Sequence, residues 1–177
     1  MSMTTRVIDE RNGLIMPWLN KDCLDYIKTL DMSAWDIFEW GTGYGTIWWS
    51  NFVRNMVTVD HSVMWNRSIQ QQVNGTNITF KIKKLIRCKS SEYTNAINED
   101  LKKYDCIVID GRNRDLCGRT VIGKLNTNGI IILDNSERLR YRLLVNFLNH
   151  NFTLVKRFEI DRKVLSKIWE TTVWQLK

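Results

Sequence analysis

The sequence predicts an α/β fold in which a mostly parallel sheet is covered by helices on both faces. Three observations predict it. Apolar runs of strand length alternate with helix-length amphipathic stretches from residue 35 to 176, as in parallel strands joined by crossover helices. The runs Cys106–Ile109 and Ile130–Leu133 are continuous and rich in β-branched residues, which is typical of central strands buried on both faces. A glycine-rich turn, Gly41–Gly45, directly follows the first apolar run.

Seven strand-length runs lie in this region. We predict strands at Trp35–Trp40, Met56–Asp60, part of Ile78–Leu85, Tyr104–Asp110, Gly129–Asp134, Phe152–Ile160 and Thr171–Leu176. The stretches between them predict helices near Ile47–Arg54, Met64–Val73, Glu92–Leu101, Leu116–Leu125 and Leu139–Asn149. No spacer with helical periodicity separates the last two runs, so we expect residues 152–176 to form an antiparallel hairpin that ends the sheet. The segment Asn126–Gly129 has the composition of a turn.

The length of 177 residues and the hydrophobic content of 44% suit a single domain with a full core. We divide it into an N-terminal appendage at residues 1–34, with one helix at Lys21–Leu30, and a main body at residues 35–177. The segment Pro17–Leu19 is a candidate lid over a ligand site, although Trp18 is equally suited to packing.

The expected location is the cytoplasm, without a membrane partner. No apolar run reaches the roughly 18–20 residues of a membrane span, and Met1–Asn12 lacks the apolar centre of a signal peptide. The four cysteines contain no Cys-x-x-Cys pair, which favours reduced thiols over disulfides or a zinc site.

The net charge of +7 admits a polyanionic partner such as nucleic acid. The basic residues form three modest clusters: Lys81, Lys83, Lys84, Arg87 and Lys89; Arg112, Arg114 and Arg119; and Arg138, Arg140 and Arg142. Because the clusters are small and spread along the chain, an ordinary solvated basic surface is favoured over a nucleic-acid interface.

The turn after the first strand has the pattern Glu-x-Gly-x-Gly-x-Gly, with Glu39 two residues before Gly41. A dinucleotide-binding turn has its third glycine one residue later, at the position of Thr46. The pattern resembles motif I of the class I S-adenosylmethionine-dependent methyltransferases. The methionine end of their cofactor is cationic and tolerates an anionic rim such as Glu39. The resemblance covers roughly residues 35–176 and implies a Rossmann-like fold with seven strands in the order 3-2-1-4-5-7-6.

The same resemblance implies S-adenosyl-L-methionine as the cofactor. Asp60 ends the second strand about 20 residues after Gly41, where an acid can accept hydrogen bonds from both ribose hydroxyls. His61 follows it and is a candidate for the adenine pocket. The complete set of expected cofactor-binding residues is Glu39, Gly41, Thr42, Gly43, Gly45, Asp60, His61 and Asp110.

The ends of the fourth and fifth predicted strands carry the candidate catalytic residues, which are Asp110, Asp134, Asn135 and Glu137. Asp110 with Asp134 and Asn135 is similar to the magnesium ligands of the catechol O-methyltransferase-like branch, where Mg²⁺ holds the acceptor hydroxylate. Asn113 stands where that branch has a lysine base. Without a metal, Asp110 or Asp134 is the candidate general base, with Glu137 a weaker one.

The expected activity is methyl transfer to an oxygen or nitrogen of a small molecule or glycan. The runs Val108–Cys117 and Leu133–Arg138 also resemble a poorly characterised group of bacterial and viral methyltransferases, a resemblance that is specific for the cofactor and not for the acceptor. Arg112, Arg114 and Arg138 are candidates to bind an anionic acceptor. Pro17 is the only proline, which excludes the proline-containing motifs of base-methylating enzymes.

Two alternatives stay open. A ribose 2′-O-methyltransferase of RNA would use Asp110 and Glu170, although the second lysine of its tetrad has no match in Asp134–Arg138. A protein that binds the cofactor as a scaffold without catalysis is the other. The oligomeric state is open too, and a dimer partner or the acceptor itself is a candidate to close the pocket.

Overall fold

A computed structural model describes residues 8–9, 13–162 and 167–177. Its main feature is a sheet of seven strands: β1 (Asp36–Trp40), β2 (Asn55–Asp60), β3 (Ile78–Ile82), β4 (Tyr104–Ile109), β5 (Leu125–Asp134), β6 (Thr153–Arg162) and β7 (Lys167–Gln175). Their order is β3-β2-β1-β4-β5-β7-β6. The predicted fold and strand order are confirmed.

The first five strands are parallel to their neighbours, and β7 is antiparallel to both β5 and β6. The predicted terminal hairpin is therefore confirmed, with β7 inserted between β5 and β6. The order reverses at β1, which lies between β2 and β4. In such sheets a ligand crevice forms at the carboxyl ends of the strands on either side of the reversal.

Among the described residues, helix α1 (Lys21–Ile27) precedes the sheet, and five helices connect its strands: α2 (Tyr44–Trp49), α3 (Val63–Gln70), α4 (Glu92–Asn95), α5 (Arg114–Arg119) and α6 (Arg142–Asn151). Short 3₁₀ turns lie at Ala96–Asn98 and Leu139–Tyr141. Most predicted helices are present but are shorter. Helix α2 begins at Tyr44, inside the glycine turn and three residues before the predicted start.

The prediction of a helix over Leu116–Leu125 is wrong in its second half. Helix α5 ends at Arg119, and Gly123 has φ +73°, a left-handed conformation that does not continue a helix. The predicted turn Asn126–Gly129 lies within β5 as an irregularity. There the partner of β4 jumps from Leu125, opposite Tyr104, to Ile130, opposite Cys106, and Asn128 adopts φ 64°.

Side chains of the central strands alternate between two buried clusters, as the two-residue period of a strand requires. Phe38 and Ile107 point into one cluster, which α5 and α6 cover, whereas Ile37 and Cys106 point into the other. Helix α1 belongs to this second cluster through Cys23, Leu24 and Ile27, and Leu19 just before the helix joins them. The N-terminal segment thus packs on the sheet and contributes to its core. No described helix is long and apolar enough to cross a membrane.

Candidate active site

A broad cleft of about 2190 Å³ opens at the carboxyl ends of β1, β2, β4 and β5. The N-terminal segment Met16–Leu19 and helix α1 line its opposite side. Every residue predicted for the cofactor and the acceptor lines this cleft: Glu39, Gly41, Thr42, Gly43, Gly45, Asp60, His61, Asp110, Asp134, Asn135 and Glu137. Residues from four separate strand ends are therefore brought into one site.

The glycine turn is shaped by the close approach of β1 to β4. Gly41 has φ +105°, and a Cβ atom there would lie 2.7 Å from the backbone nitrogen of Gly111. The Gly41 N–H donates to the Val59 carbonyl oxygen at 2.9 Å, which fixes the turn to the end of β2. Gly43 differs, because a Cβ atom there would meet only the Gly41 oxygen, at 3.9 Å. Gly41 is required by the fold, whereas the space beside Gly43 is open to a ligand.

Glu39 lies beneath the turn and is only 2% exposed. Its Oε2 accepts hydrogen bonds from the hydroxyls of Thr46 at 2.5 Å and Thr58 at 2.6 Å. Burial raises the pKa of Glu39 to about 8, although the two hydroxyls oppose the rise. Glu39 lines the cleft, so the expected anionic rim stays a prediction, and the raised pKa favours the protonated form of this acid.

Asp60 stands at the end of β2, next to the turn, and is 7% exposed. Its Oδ1 accepts the Ser62 N–H at 2.8 Å and lies 3.2 Å from His61 Nδ1. Burial raises the pKa of Asp60, whereas hydrogen bonds from the backbone and the charges of His61 and Arg112 lower it. The carboxyl group is thus held in a fixed orientation at the wall of the cleft.

Three aromatic side chains line the cleft beside the glycine turn. The Trp65 indole donates to the Thr42 carbonyl oxygen at 2.6 Å, and its ring packs edge to face on Tyr44 at 6.0 Å. Tyr44 in turn contacts Trp18 at 6.5 Å. Trp18 was a candidate from the sequence, but Trp65 was not, because no local pattern distinguishes one tryptophan of helix α3 as a wall of the cleft.

Arg114 joins the ends of β4 and β5. Its Nη2 lies 2.6 Å from Asp110 Oδ1, and its Nη1 donates to the Asp134 carbonyl oxygen and lies 3.6 Å from Asp134 Oδ2. Its Nε donates to the Gly111 oxygen at 3.0 Å. Arg114 is 8% exposed, so this expected acceptor-binding arginine is instead part of the wall of the site. Local sequence gives no signal for this role, because Asp110 follows β4, Arg114 begins α5, and Asp134 comes near only through the pairing of β4 with β5.

The two carboxylates on Arg114 differ in exposure. The Asp110 side chain is 31% accessible, and its pKa is raised by burial and by Asp134, against the opposing charge of Arg114. Asp134 is 3% exposed, and its Oδ1 accepts the Trp169 indole N–H at 2.9 Å and the Thr171 hydroxyl at 2.7 Å. Asp110 therefore faces the cleft, whereas Asp134 is largely engaged in holding β5 to β7.

The arrangement does not fit the predicted magnesium ion. The guanidinium of Arg114 lies between the carboxylates of Asp110 and Asp134 and supplies the positive charge that a cation would bring. Within the described ranges, no three His, Cys, Asp or Glu side chains gather as metal ligands. Asn113, at the position of the expected lysine base, binds the Ile86 carbonyl oxygen and the Cys88 N–H.

The segment after β5 also lines the cleft, through Asn135 and Glu137. Asn135 has φ 56°, and the Glu137 Oε2 accepts the Glu170 N–H at 3.0 Å. Glu170, the acid considered for ribose methylation, is 6% exposed and bonds to the hydroxyls of Ser136 and Thr172, outside the residues that line the cleft.

No protein-family model and no curated protein match the sequence. Solved structures match its fold. N-methyltransferase NodS from Bradyrhizobium japonicum has a TM-score of 0.62 at 11% identity, over 88% of this chain and 95% of that chain. Precorrin-6y C5,15-methyltransferase from Geobacter metallireducens has a TM-score of 0.62 at 15% identity, over 96% and 94%.

A third match was solved with S-adenosylhomocysteine bound. It is a Streptococcus mutans protein assigned as a methyltransferase, with a TM-score of 0.67 at 10% identity, over 91% of this chain and 100% of that chain. NodS was also solved with this ligand. At these identities the comparisons establish the architecture, and with the strand order described above they show that the chain has the fold of the class I S-adenosylmethionine-dependent methyltransferases.

Proposed function

We propose that the chain is a methyltransferase that uses S-adenosyl-L-methionine and acts on an oxygen or nitrogen of a small molecule or glycan. The observation that carries the proposal is the placement of the glycine turn and of Asp60 at neighbouring strand ends, where both line one cleft. Structural neighbours solved with S-adenosylhomocysteine support it.

The chain's own residues fit the cofactor. Asp60, held by Ser62 and His61, would accept hydrogen bonds from the ribose hydroxyls. The open space beside Gly43 would admit the ligand close to the main chain. Trp65 offers an aromatic edge on the same side, and Asp110 would flank the methionine end.

The acceptor side would promote the reaction through a base and through positioning. The cofactor, when bound, supplies an electrophilic methyl group on a sulfonium. Asp110 would take the proton from the acceptor oxygen or nitrogen, and its raised pKa makes it a better proton acceptor than an ordinary aspartate. Arg114 fixes its orientation, and Asn135 and Glu137 would contact the acceptor. Holding both substrates in one cleft supplies much of the expected acceleration.

Ligand binding tests the proposal directly. Thermal unfolding would be followed with and without S-adenosylhomocysteine for the wild type, Asp60→Ala and the control Asp115→Ala, whose residue lies outside the cleft. Ligand at about 100 times its Kd should add roughly 2.7 kcal/mol and raise Tm by several degrees. We expect this shift in the wild type and the control and its loss in Asp60→Ala. An absent shift at millimolar ligand would refute the proposal.

Catalysis would be tested separately from binding. If Asp110 is the base, Asp110→Asn should keep the thermal shift with S-adenosylhomocysteine and lose turnover of any acceptor found by screening. If no acceptor is turned over by a chain that binds the ligand, the outcome would favour a scaffold that binds the cofactor without catalysis.

A further inference from the structure

The cationic side chains that line the cleft are not equivalent. Arg114 is fully engaged by the strand ends, as described above. Lys21 and Lys28 belong to α1 and its C-terminal end, not to the segment after β5, and they pair with Asp25 at 2.6 Å and Asp9 at 3.6 Å. Arg112 is near enough to Asp60 to lower its pKa.

The other two cationic residues, Arg138 and Arg140, lie on the segment that follows β5. Both line the cleft and are exposed. The Arg138 Nε lies 3.6 Å from Glu137 Oε1, and its charge also lowers the pKa of Asp110, but 44% of its side chain is accessible to a ligand. The Arg140 guanidinium lies 4.8 Å from the Tyr141 ring, and the structure gives it no ion pair with a described carboxylate.

The ring of Tyr141 connects these exposed cations to the interior of the site. Tyr141 is 6% exposed, with the Arg140 guanidinium at 4.8 Å and that of Arg114 at 5.8 Å from its ring. A ring fixed in this way restricts the position of Arg140, because a guanidinium is attracted to the face of an aromatic ring. Arg114 already compensates the carboxylates of Asp110 and Asp134, so the charge of Arg140 is left for a ligand.

We propose that Arg138 and Arg140 bind an anionic group, a phosphate or a carboxylate, on the methyl acceptor. The inference rests on the proposed function, because it takes residues 134–137 as the acceptor side. A guanidinium presents a planar set of donors that matches both groups with two parallel hydrogen bonds. Of the three arginines that the sequence offered for an anionic acceptor, only Arg138 is kept, and Arg140 is added.

The test measures how anions stabilise the protein loaded with S-adenosylhomocysteine. Thermal unfolding would be recorded with inorganic phosphate, with acetate and with sodium chloride at matched ionic strength. The proteins are the wild type, the double variant Arg138→Gln/Arg140→Gln and Arg142→Gln. Arg142 is an exposed arginine on the same segment that does not line the cleft, so Arg142→Gln is a matched control.

We expect phosphate or acetate to raise Tm above the chloride reference in the wild type and in Arg142→Gln. In the double variant the anion should bind at least about tenfold more weakly, since two charge-assisted interactions are lost. Stabilisation by phosphate alone would indicate a phosphorylated acceptor, and by acetate alone a carboxylate. No anion effect, or an equal effect in all three proteins, would overturn the inference.

The shift caused by S-adenosylhomocysteine alone, measured in chloride, separates this inference from the proposed function. If that shift is present and the anion effect is absent, only the anionic acceptor is refuted. If that shift is absent, the proposed function is refuted, and an anion effect that depends on Arg138 and Arg140 would still show an anion site at the cleft.

Discussion

Replacing Gly41 with alanine tests how the glycine turn is held between β1 and β4. The residue has φ +105°, outside the region that side chains favour, and a Cβ atom would lie 2.7 Å from the nitrogen and 2.8 Å from the Cα of Gly111. Both contacts are with backbone atoms of a neighbouring strand end, so no side chain can rotate away. Either β1 and β4 must separate, or the turn must change its conformation.

The expected loss of stability has two sources. A left-handed conformation of a residue with a side chain costs roughly 1–2 kcal/mol. Forcing an extra methyl group into packed structure typically costs about 1–3 kcal/mol. Gly41→Ala should therefore lower the free energy of unfolding by roughly 2–5 kcal/mol, measured by urea denaturation at 25 °C with the slope checked for two-state behaviour.

Gly123→Ala is the matched control. Gly123 also has a positive φ, +73°, but a Cβ atom there would meet nothing within 4 Å. It should lose only the conformational part, roughly 1–2 kcal/mol. If Gly41→Ala is no more destabilising than Gly123→Ala, the close approach of the two strand ends does not determine the shape of the turn, and the reasoning fails.

Three further predictions concern the same site. In the folded chain the pKa of Glu39 is about 8, against an ordinary value of 4.5. The contribution of Glu39 to the free energy of unfolding is therefore fully present below pH 4.5 and is lost as pH rises through about 8. The free energy of unfolding of the wild type should therefore fall relative to Glu39→Gln between pH 5 and 8, and parallel pH curves would contradict this. Arg114→Met leaves the carboxylates of Asp110 and Asp134 without their cation and should cost about 3–5 kcal/mol in urea unfolding, where a loss below about 1 kcal/mol would show that the pairing is weak. Gly43→Ala should unfold like the wild type but bind S-adenosylhomocysteine at least about tenfold more weakly in calorimetry, because the added methyl group enters space that the ligand needs; unchanged affinity would remove the turn from the site.

The sheet was predictable because its signals are local. The β-branched runs at Cys106–Ile109 and Ile130–Leu133 form the central strands β4 and β5, as buried parallel strands should. Polar residues directly after such strands gather at one edge of a parallel sheet. For this reason Asp60 and Asp110, far apart in sequence, were both expected at the cleft where they are found.

What the sequence did not reveal depends on contacts between distant segments. The role of Arg114 is set by Asp134, which only the parallel pairing of β4 with β5 brings near. The sequence suggested an ionised rim at Glu39, but packing between neighbouring strands buries this residue, and burial raises its pKa to about 8. Helix α5 stops early because Gly123 and the irregular start of β5 follow it, a conflict that helical periodicity alone does not register.

The most direct test of the central claim is a crystal structure of the chain with S-adenosylhomocysteine. We predict ligand density in the cleft, with the ribose hydroxyls on Asp60, the homocysteine portion along the turn Gly41–Gly45 and the sulfur directed toward Asp110. A ligand bound elsewhere, or a cleft without ligand density in crystals soaked at millimolar S-adenosylhomocysteine, would contradict it.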